Sequence, residues 1–129
     1  MSPIQRPLTD PVMIFELEHS LNELRNDDSY IRSGRLGRTM ARSGRLRVTL
    51  VALNSGIEVG THHADSPLTI QLLEGRLGFR VGDSEHELRA GQVLFFGPAE
   101  AHDIRALEES ALLITISAIG DDARLDVHD

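Results

Sequence analysis

From Arg45 onward, apolar and polar residues alternate with a period of two, and glycine-containing turns interrupt the alternation every few residues. Leu77, Phe79 and Val81 share one face of such a segment, because successive side chains of a strand point to opposite sides of its sheet. Strands are predicted near residues 36–40, 45–53, 69–72, 77–81, 85–89, 92–96, 103–107 and 111–117. Short strands at this spacing predict an all-β sandwich or barrel.

One helix is predicted ahead of these strands. Ile14, Leu17, Leu21 and Leu24 recur at steps of three, four and three, which places one apolar stripe on a helix. The polar run 26–29 is interpreted as the end of that helix. We therefore expect a single domain with an N-terminal helix and arm over 1–35, a barrel over 36–118 and an acidic tail over 119–129.

A set of apolar residues on the predicted strands forms the expected core. The predicted core residues are Leu50, Ala52, Ile70, Leu72, Leu77, Phe79, Val81, Leu94 or Phe95, Ile104, Leu113, and Thr115 or Ile116. The alternatives stay open because residues 93–96 and 111–116 are nearly continuous in apolar character, so their pattern does not identify the inner face.

Positive charge is concentrated in one part of an acidic chain. Between Ile31 and Val48 there are six arginines and no acidic residue, so this window carries +6 and leaves −13 for the rest of a chain with net charge −7. No nucleic-acid motif accompanies the arginines, and we do not expect a nucleic-acid partner. A basic arm that lies on the acidic body of a second copy is preferred, which predicts a homodimer.

The chain contains no cysteine and no long apolar run. Any metal must therefore be held by nitrogen and oxygen ligands, and neither a signal peptide nor a membrane-spanning helix is expected. A cytoplasmic protein without a membrane partner is the resulting expectation.

Two histidine-bearing segments flank the central strands. Residues 56–63 contain Gly56, His62 and His63, and residues 91–102 contain Gly91 and His102. Imidazole binds zinc, iron, nickel and copper well, so a fold that joins these segments would create a candidate site.

The stretch from about residue 48 to 118 resembles the cupins, which are double-stranded β-helices of the jelly-roll type. Gly56, His62 and Gly75 fit the first cupin motif, and Gly91 and His102 fit the second at the expected separation. The resemblance is greatest to small, single-domain, RmlC-like bacterial cupins. It implies a barrel with a short N-terminal helix and a metal or ligand site in its interior.

The chain departs from the family's ligand pattern. Ala64 stands where the family has its second histidine, and Leu68 stands where it has a glutamate. His63 is the candidate third ligand, although it would need a bulge to share a face with His62. Either His62 and His102 hold zinc, iron, nickel or manganese, or both are neutral, hydrogen-bonded groups. Other residues considered as a third ligand, without a recommending spacing, are His86, Glu58, Gln71 and Asp103. We expect His86 to lie on an exposed strand.

Three functions are compatible with these features. The first is the binding of a small polar molecule in the barrel, with Gln71, Leu68, Ile70 and Phe79 as the pocket. The second is a metal-dependent enzyme of the dioxygenase or isomerase type found among cupins. The third is an interaction protein that works through its arginine-rich arm. Whether the chain is an enzyme stays open, because one fold hosts many chemistries.

Overall fold

The computed structural model describes residues 11–60, 67–97 and 103–117. Two helices come first, α1 (Leu17–Arg25) and α2 (Asp28–Ser33). They are followed by strands β1 (Arg35–Ser43), β2 (Leu46–Leu53), β3 (Glu58–Gly60), β4 (Leu68–Glu74), β5 (Arg76–Val81), β6 (Ser84–Arg89), β7 (Val93–Phe96), β8 (Asp103–Ala106) and β9 (Ser110–Ser117). The predicted strands are all present, and β3 was not predicted individually. No helix in the described ranges is long and apolar enough to cross a membrane.

The strands form two antiparallel sheets. One has five strands in the order β1-β2-β9-β4-β7, and the other has four in the order β3-β8-β5-β6. Non-consecutive neighbours such as β2-β9 and β3-β8 mean that the chain passes repeatedly between the two sheets. This is the jelly-roll arrangement that the sequence predicted, preceded by the helical segment.

The helical segment differs from the prediction because it contains two helices. On α1, Leu21 and Leu24 are buried as predicted, whereas Ile14 lies before the helix and is 86% exposed. The polar run after α1 begins a new helix, because the Asp27 side chain accepts a hydrogen bond from the Ser29 backbone N–H at 2.8 Å. That helix ends at Gly34, whose positive φ of 78° suits glycine.

The five-stranded sheet is covered on one face by the four-stranded sheet and, mainly over β1, β2 and β9, on the other face by the helices, which gives the protein two apolar clusters. On β2, Val51 and Leu53 belong to the cluster between the sheets, whereas Leu50 and Ala52 belong to the cluster beneath the helices. In each sheet, we call the face toward the other sheet the interior face and the opposite face the outer face. Two-sided burial explains why β2 and β9 are almost continuously apolar.

The structure shows which residue faces the interior where the sequence left alternatives in the predicted core. On β7, Leu94 packs against the interior cluster and Phe95 is 63% exposed on the outer face. On β9, Ile116 is interior, and Leu113 packs with the helices on the other side of the sheet. Val81 was predicted in the core but is 41% exposed, because it is the last residue of β5.

The arginine-rich window does not form an extended arm. Arg32 belongs to α2, and the remaining arginines lie on β1, on β2 or in the turn between them. Arg38 Nη1 contacts Glu23 Oε1 at 2.7 Å, so part of the window's charge pairs within the same chain. The homodimer stays a prediction; among the described strands, β1 and β7 are the edges of the five-stranded sheet.

One polar contact ties α2 to the turn between β8 and β9. The Tyr30 hydroxyl donates to Glu109 Oε2 at 3.0 Å, and Tyr30 is only 5% exposed. Burial, followed by the hydrogen bond to Glu109, raises the pKa of Tyr30 to about 12.

Candidate functional site

Several strands begin or end together at one end of the sandwich, which we call the mouth. β3 ends at Gly60 and β8 begins at Asp103, and these two residues are partners in the ladder. The β5–β6 hairpin turns at the same end, after Phe79, which pairs with Ile104 of β8. In the sequence, residues 61–66 follow β3 and residues 98–102 precede β8, and they carry His62, His63 and His102. These three predicted ligands lie outside the described residues.

A single row of paired residues crosses all five strands of the larger sheet next to the mouth. The ladder aligns Arg42, Arg47, Ile116, Leu68 and Phe96, one from each of β1, β2, β9, β4 and β7. Directly paired residues share a face of the sheet. Because Ile116, Leu68 and Phe96 belong to the interior cluster, the whole row, which we call the mouth row, lies on the interior face.

Aromatic side chains connect the mouth row to the other sheet. The rings of Phe96 and Phe79 meet edge to face with centroids 6.1 Å apart. The His86 ring stacks on Phe79 with centroids 5.3 Å apart and planes 21° apart. Phe96, Phe79 and His86 therefore form an aromatic wall at one side of the mouth.

His86 was expected on an exposed strand, and β6 is largely exposed as that expectation requires. Its side chain nevertheless lies on the interior face, because His86 pairs with Phe79 and is two residues from the buried Leu88. The spacing of His86 and Leu88 was the sequence signal for this placement.

The structure brings together three of the four predicted pocket residues. Leu68 and Ile70 are 7% and 0% exposed and belong to the interior cluster, and Phe79 packs against it. Gln71 is exposed on the opposite face of β4, where it pairs with Leu113 and Val93. Gln71 was grouped with Ile70 although adjacent strand residues point to opposite faces, so it does not share their wall.

The other residues considered as a third metal ligand also lie on different faces of their sheets. Glu58 and Asp103 are exposed neighbours of the fully buried Val59 and Ile104, so they lie on the outer face. Only His86 among the four lies on the interior face. Within residues 11–60, 67–97 and 103–117, no group of three His, Cys, Asp or Glu residues could hold a metal ion.

Leu68 is also relevant to metal binding, because it occupies the position of the family's glutamate and is a buried apolar residue. The described residues thus do not complete a metal site, and the predicted ligands His62, His63 and His102 lie outside them.

A cleft of about 490 Å³ lies beside the four-stranded sheet. It is lined by outward charged side chains of both signs together with Phe79 and Ile104: Glu58, Gly78, Phe79, Arg80, Gly82, Glu85, Asp103, Ile104 and Arg105. Opposite charges alternate across its strands, as in the pairs Glu58 with Arg105 and Arg80 with Glu85. This surface presents no dominant charge to a ligand, unlike the mouth row.

Solved structures resemble this chain although no protein-family model matches it and no curated protein matches its sequence. An RmlC-like cupin protein from Desulfovibrio desulfuricans is 24% identical with a TM-score of 0.66, over 84% of this chain and 100% of that one. A cupin-2 domain-containing protein from Shewanella frigidimarina is 20% identical with a TM-score of 0.64, over 79% and 92%. A conserved protein of unknown function from Streptococcus pyogenes is 18% identical with a TM-score of 0.67, over 87% and 92%.

Proposed function

We propose that this chain, whose fold is that of the cupins, binds a small polar molecule inside the barrel at its mouth. The observation that carries the proposal is the composition of the mouth: interior apolar residues such as Leu68 and Phe96, with a few polar groups, including His86, on the same face. Small-molecule sites in proteins combine these features, since apolar walls supply affinity and a few polar groups fix orientation.

The interior behind the mouth row gives the proposed site an apolar floor. The next row inward contains Thr49, Ile114, Ile70 and Leu94, which are ladder partners on the interior face. Thr49 is only 4% exposed and Ile70 is fully buried. A ligand seated on this floor would lose contact with water on one side and stay open to the mouth on the other.

A divalent metal at the mouth is the second candidate. His102 is bonded to Asp103, and His62 lies two residues beyond Gly60. Since Gly60 and Asp103 are ladder partners, both histidine-bearing segments leave the sheet at one place. We propose that zinc, iron, nickel or manganese, if bound, is held by His62 and His102, with His63 as the third ligand. An enzyme of the dioxygenase or isomerase type would require this metal.

Elemental analysis of protein purified without chelator separates the two candidates. For a metal site, His62→Ala and His102→Ala each abolish metal occupancy, because two or fewer ligands hold these ions weakly. His19→Ala is the matched control, since His19 is 75% exposed on α1 and contacts Glu23 at 3.5 Å. His86→Ala is unsuitable as a control because His86 faces the mouth. Metal occupancy that survives both ligand variants contradicts the metal site.

Thermal unfolding of the metal-free protein against a panel of small polar compounds tests the binding proposal itself. A compound that binds only the folded state at about 100 times its Kd stabilises the protein by about 2.7 kcal/mol. Leu68→Trp fills the interior at the mouth, whereas Thr69→Trp adds the same side chain on the outer face of the same strand. We expect Leu68→Trp to remove the stabilisation and Thr69→Trp to retain it. The reverse pattern, or no stabilising compound, overturns the proposal.

A further inference from the structure

Part of the outer face of the five-stranded sheet carries no charge. A second row of paired residues runs beside the mouth row across all five strands. Its members point to the outer face, because each is the sequence neighbour of a residue in the mouth row. This row and the adjoining outward residues form what we call the outer patch: Ala41, Leu46, Val48, Thr69, Gln71, Val93, Phe95, Thr115 and Ser117.

The helices leave the outer patch open. The cluster beneath them includes Leu50 and Leu113, which lie further from the mouth on β2 and β9, but no residue of the patch. Within the patch, Phe95, Val93 and Leu46 are 63%, 59% and 49% exposed. Single exposed hydrophobic residues are ordinary on a protein surface, whereas several on one contiguous face mark an interaction site.

The outer face of the other sheet has the opposite character. Each strand of the four-stranded sheet has a charged residue there, as in the ladder pairs Glu58 with Arg105 and Arg80 with Glu85. None of the nine residues of the outer patch is charged, although 26% of the residues in the chain are. The lack of charge therefore distinguishes the outer patch from the surface that the protein presents on its other side.

We infer that two copies of this chain pack together through the outer patch, sheet against sheet, around a two-fold axis. In such an interface both copies use the same surface, so a residue near the axis meets its own counterpart. A charged residue would meet an equal charge there, whereas the apolar residues and threonines of the patch do not. Because each copy carries a net charge of −7, an uncharged face is where two copies approach with least repulsion.

The area of the outer patch suits a dimer. Five strands about 4.8 Å apart and three outward rows about 6.7 Å apart cover roughly 500 Å². Two copies together bury about 1,000 Å², which is the lower limit for a specific interface. The dimer is therefore reversible, and its dissociation is measurable.

The helices determine how the two copies are oriented. They cover the outer face at the end away from the mouth, where Ala52 and Ala111 lie beneath them. A helix is about 10 Å across, which is also the distance between two packed sheets. The helices of the two copies must therefore lie at opposite ends of the interface, so the two mouths open in opposite directions.

Sedimentation equilibrium of the wild type and of Phe95→Glu tests the inference. The substitution occurs twice in a two-fold interface and removes a carboxylate from water each time, so it raises the dissociation constant of the dimer by about 100-fold or more. Val81→Glu is the matched control, because Val81 is a 41% exposed apolar residue on β5 of the other sheet. It leaves the dissociation constant within about threefold of the wild-type value. If Phe95→Glu does not fold, as judged by circular dichroism, Leu46→Glu takes its place.

Salt distinguishes this interface from a dimer held by the arginine-rich window. Added salt screens the attraction between a basic segment and an acidic body, whereas between two uncharged faces it screens only the repulsion of the acidic copies. The wild-type dimer is therefore at least as tight at high salt as at low salt. A monomeric wild type, a dimer that dissociates when salt is added, or equal dissociation constants for Phe95→Glu and Val81→Glu overturns the inference.

Discussion

Gly75 is the single residue between β4 of the five-stranded sheet and β5 of the four-stranded sheet. A substitution there tests how tightly this connection between the sheets is packed. Its φ is +90°, and a Cβ atom added there would collide with Ser110 Oγ and the Glu109 carbonyl oxygen. Ser110 has little freedom to move, since it is fully buried and its hydroxyl is placed to donate to the Glu108 carbonyl at 2.8 Å. We expect Gly75→Ala to be strongly destabilising.

The magnitude has two parts. A non-glycine residue at positive φ costs about 1–2 kcal/mol, and forcing an extra carbon into a packed site costs about 1–3 kcal/mol more. Gly75→Ala should therefore lower the free energy of unfolding by about 2–5 kcal/mol, out of the roughly 5–15 kcal/mol typical of a domain. Urea unfolding followed by circular dichroism measures the change, provided that the slope with urea stays constant.

Gly91 provides the matched control for this experiment. Its φ of +92° is nearly that of Gly75, but nothing lies within 4 Å of an added Cβ. Gly91→Ala should lose only the backbone contribution, about 1–2 kcal/mol, reduced by the smaller entropy of the unfolded alanine chain. Equal losses in the two variants would refute the steric argument at Gly75.

Two further predictions concern the helical segment and the assembly. Tyr30 is the only tyrosine and there is no tryptophan, so ultraviolet phenolate absorbance should report a midpoint near pH 12 in the folded protein and near about 10 in denaturant. Because folding raises the pKa of Tyr30, the stability linked to its protonated form is complete below about pH 10 and is lost as the pH rises through about 12. Tyr30→Phe should lack that loss. A midpoint near pH 10 in the folded protein would contradict the burial argument. We also expect light scattering to show a homodimer, since β1 and β7 are the edge strands of the larger sheet within the described ranges and Phe95 on β7 is 63% exposed. A monomer at both low and high salt would contradict this prediction.

The positions of the strands were predictable because period-two alternation and glycine turns are local signals. Leu77 and Phe79 were assigned to the interior face from this pattern, and the structure confirms both. The pattern did not identify the interior face where both faces of a strand are covered or where consecutive residues are all apolar. The sequence could not show whether Phe95 or Phe96 faces the interior, since residues 93–96 are all apolar.

The candidate site was only partly predictable for a different reason. The mouth row depends on which strands are neighbours, and the pairing of β2 with β9 joins residues far apart in the chain. No local pattern places Arg47 beside Ile116 or Arg42 beside Arg47 on the interior face. The short helix α2 was missed because six residues carry too little periodicity, although Asp27 and Gly34 are suitable caps at its two ends.

The four phenylalanines allow the most direct test of binding at the mouth. Phe79 and Phe96 lie on the interior face, whereas Phe95 is on the outer face and Phe15 packs with the helices. Fluorine NMR of protein labelled with fluorophenylalanine would give a resonance for each ring, assigned by single replacement with leucine. On titration with a compound that stabilises the protein, we predict shifts at Phe79 and Phe96 and none at Phe95 or Phe15. Shifts confined to Phe95 or Phe15 would contradict binding inside the barrel.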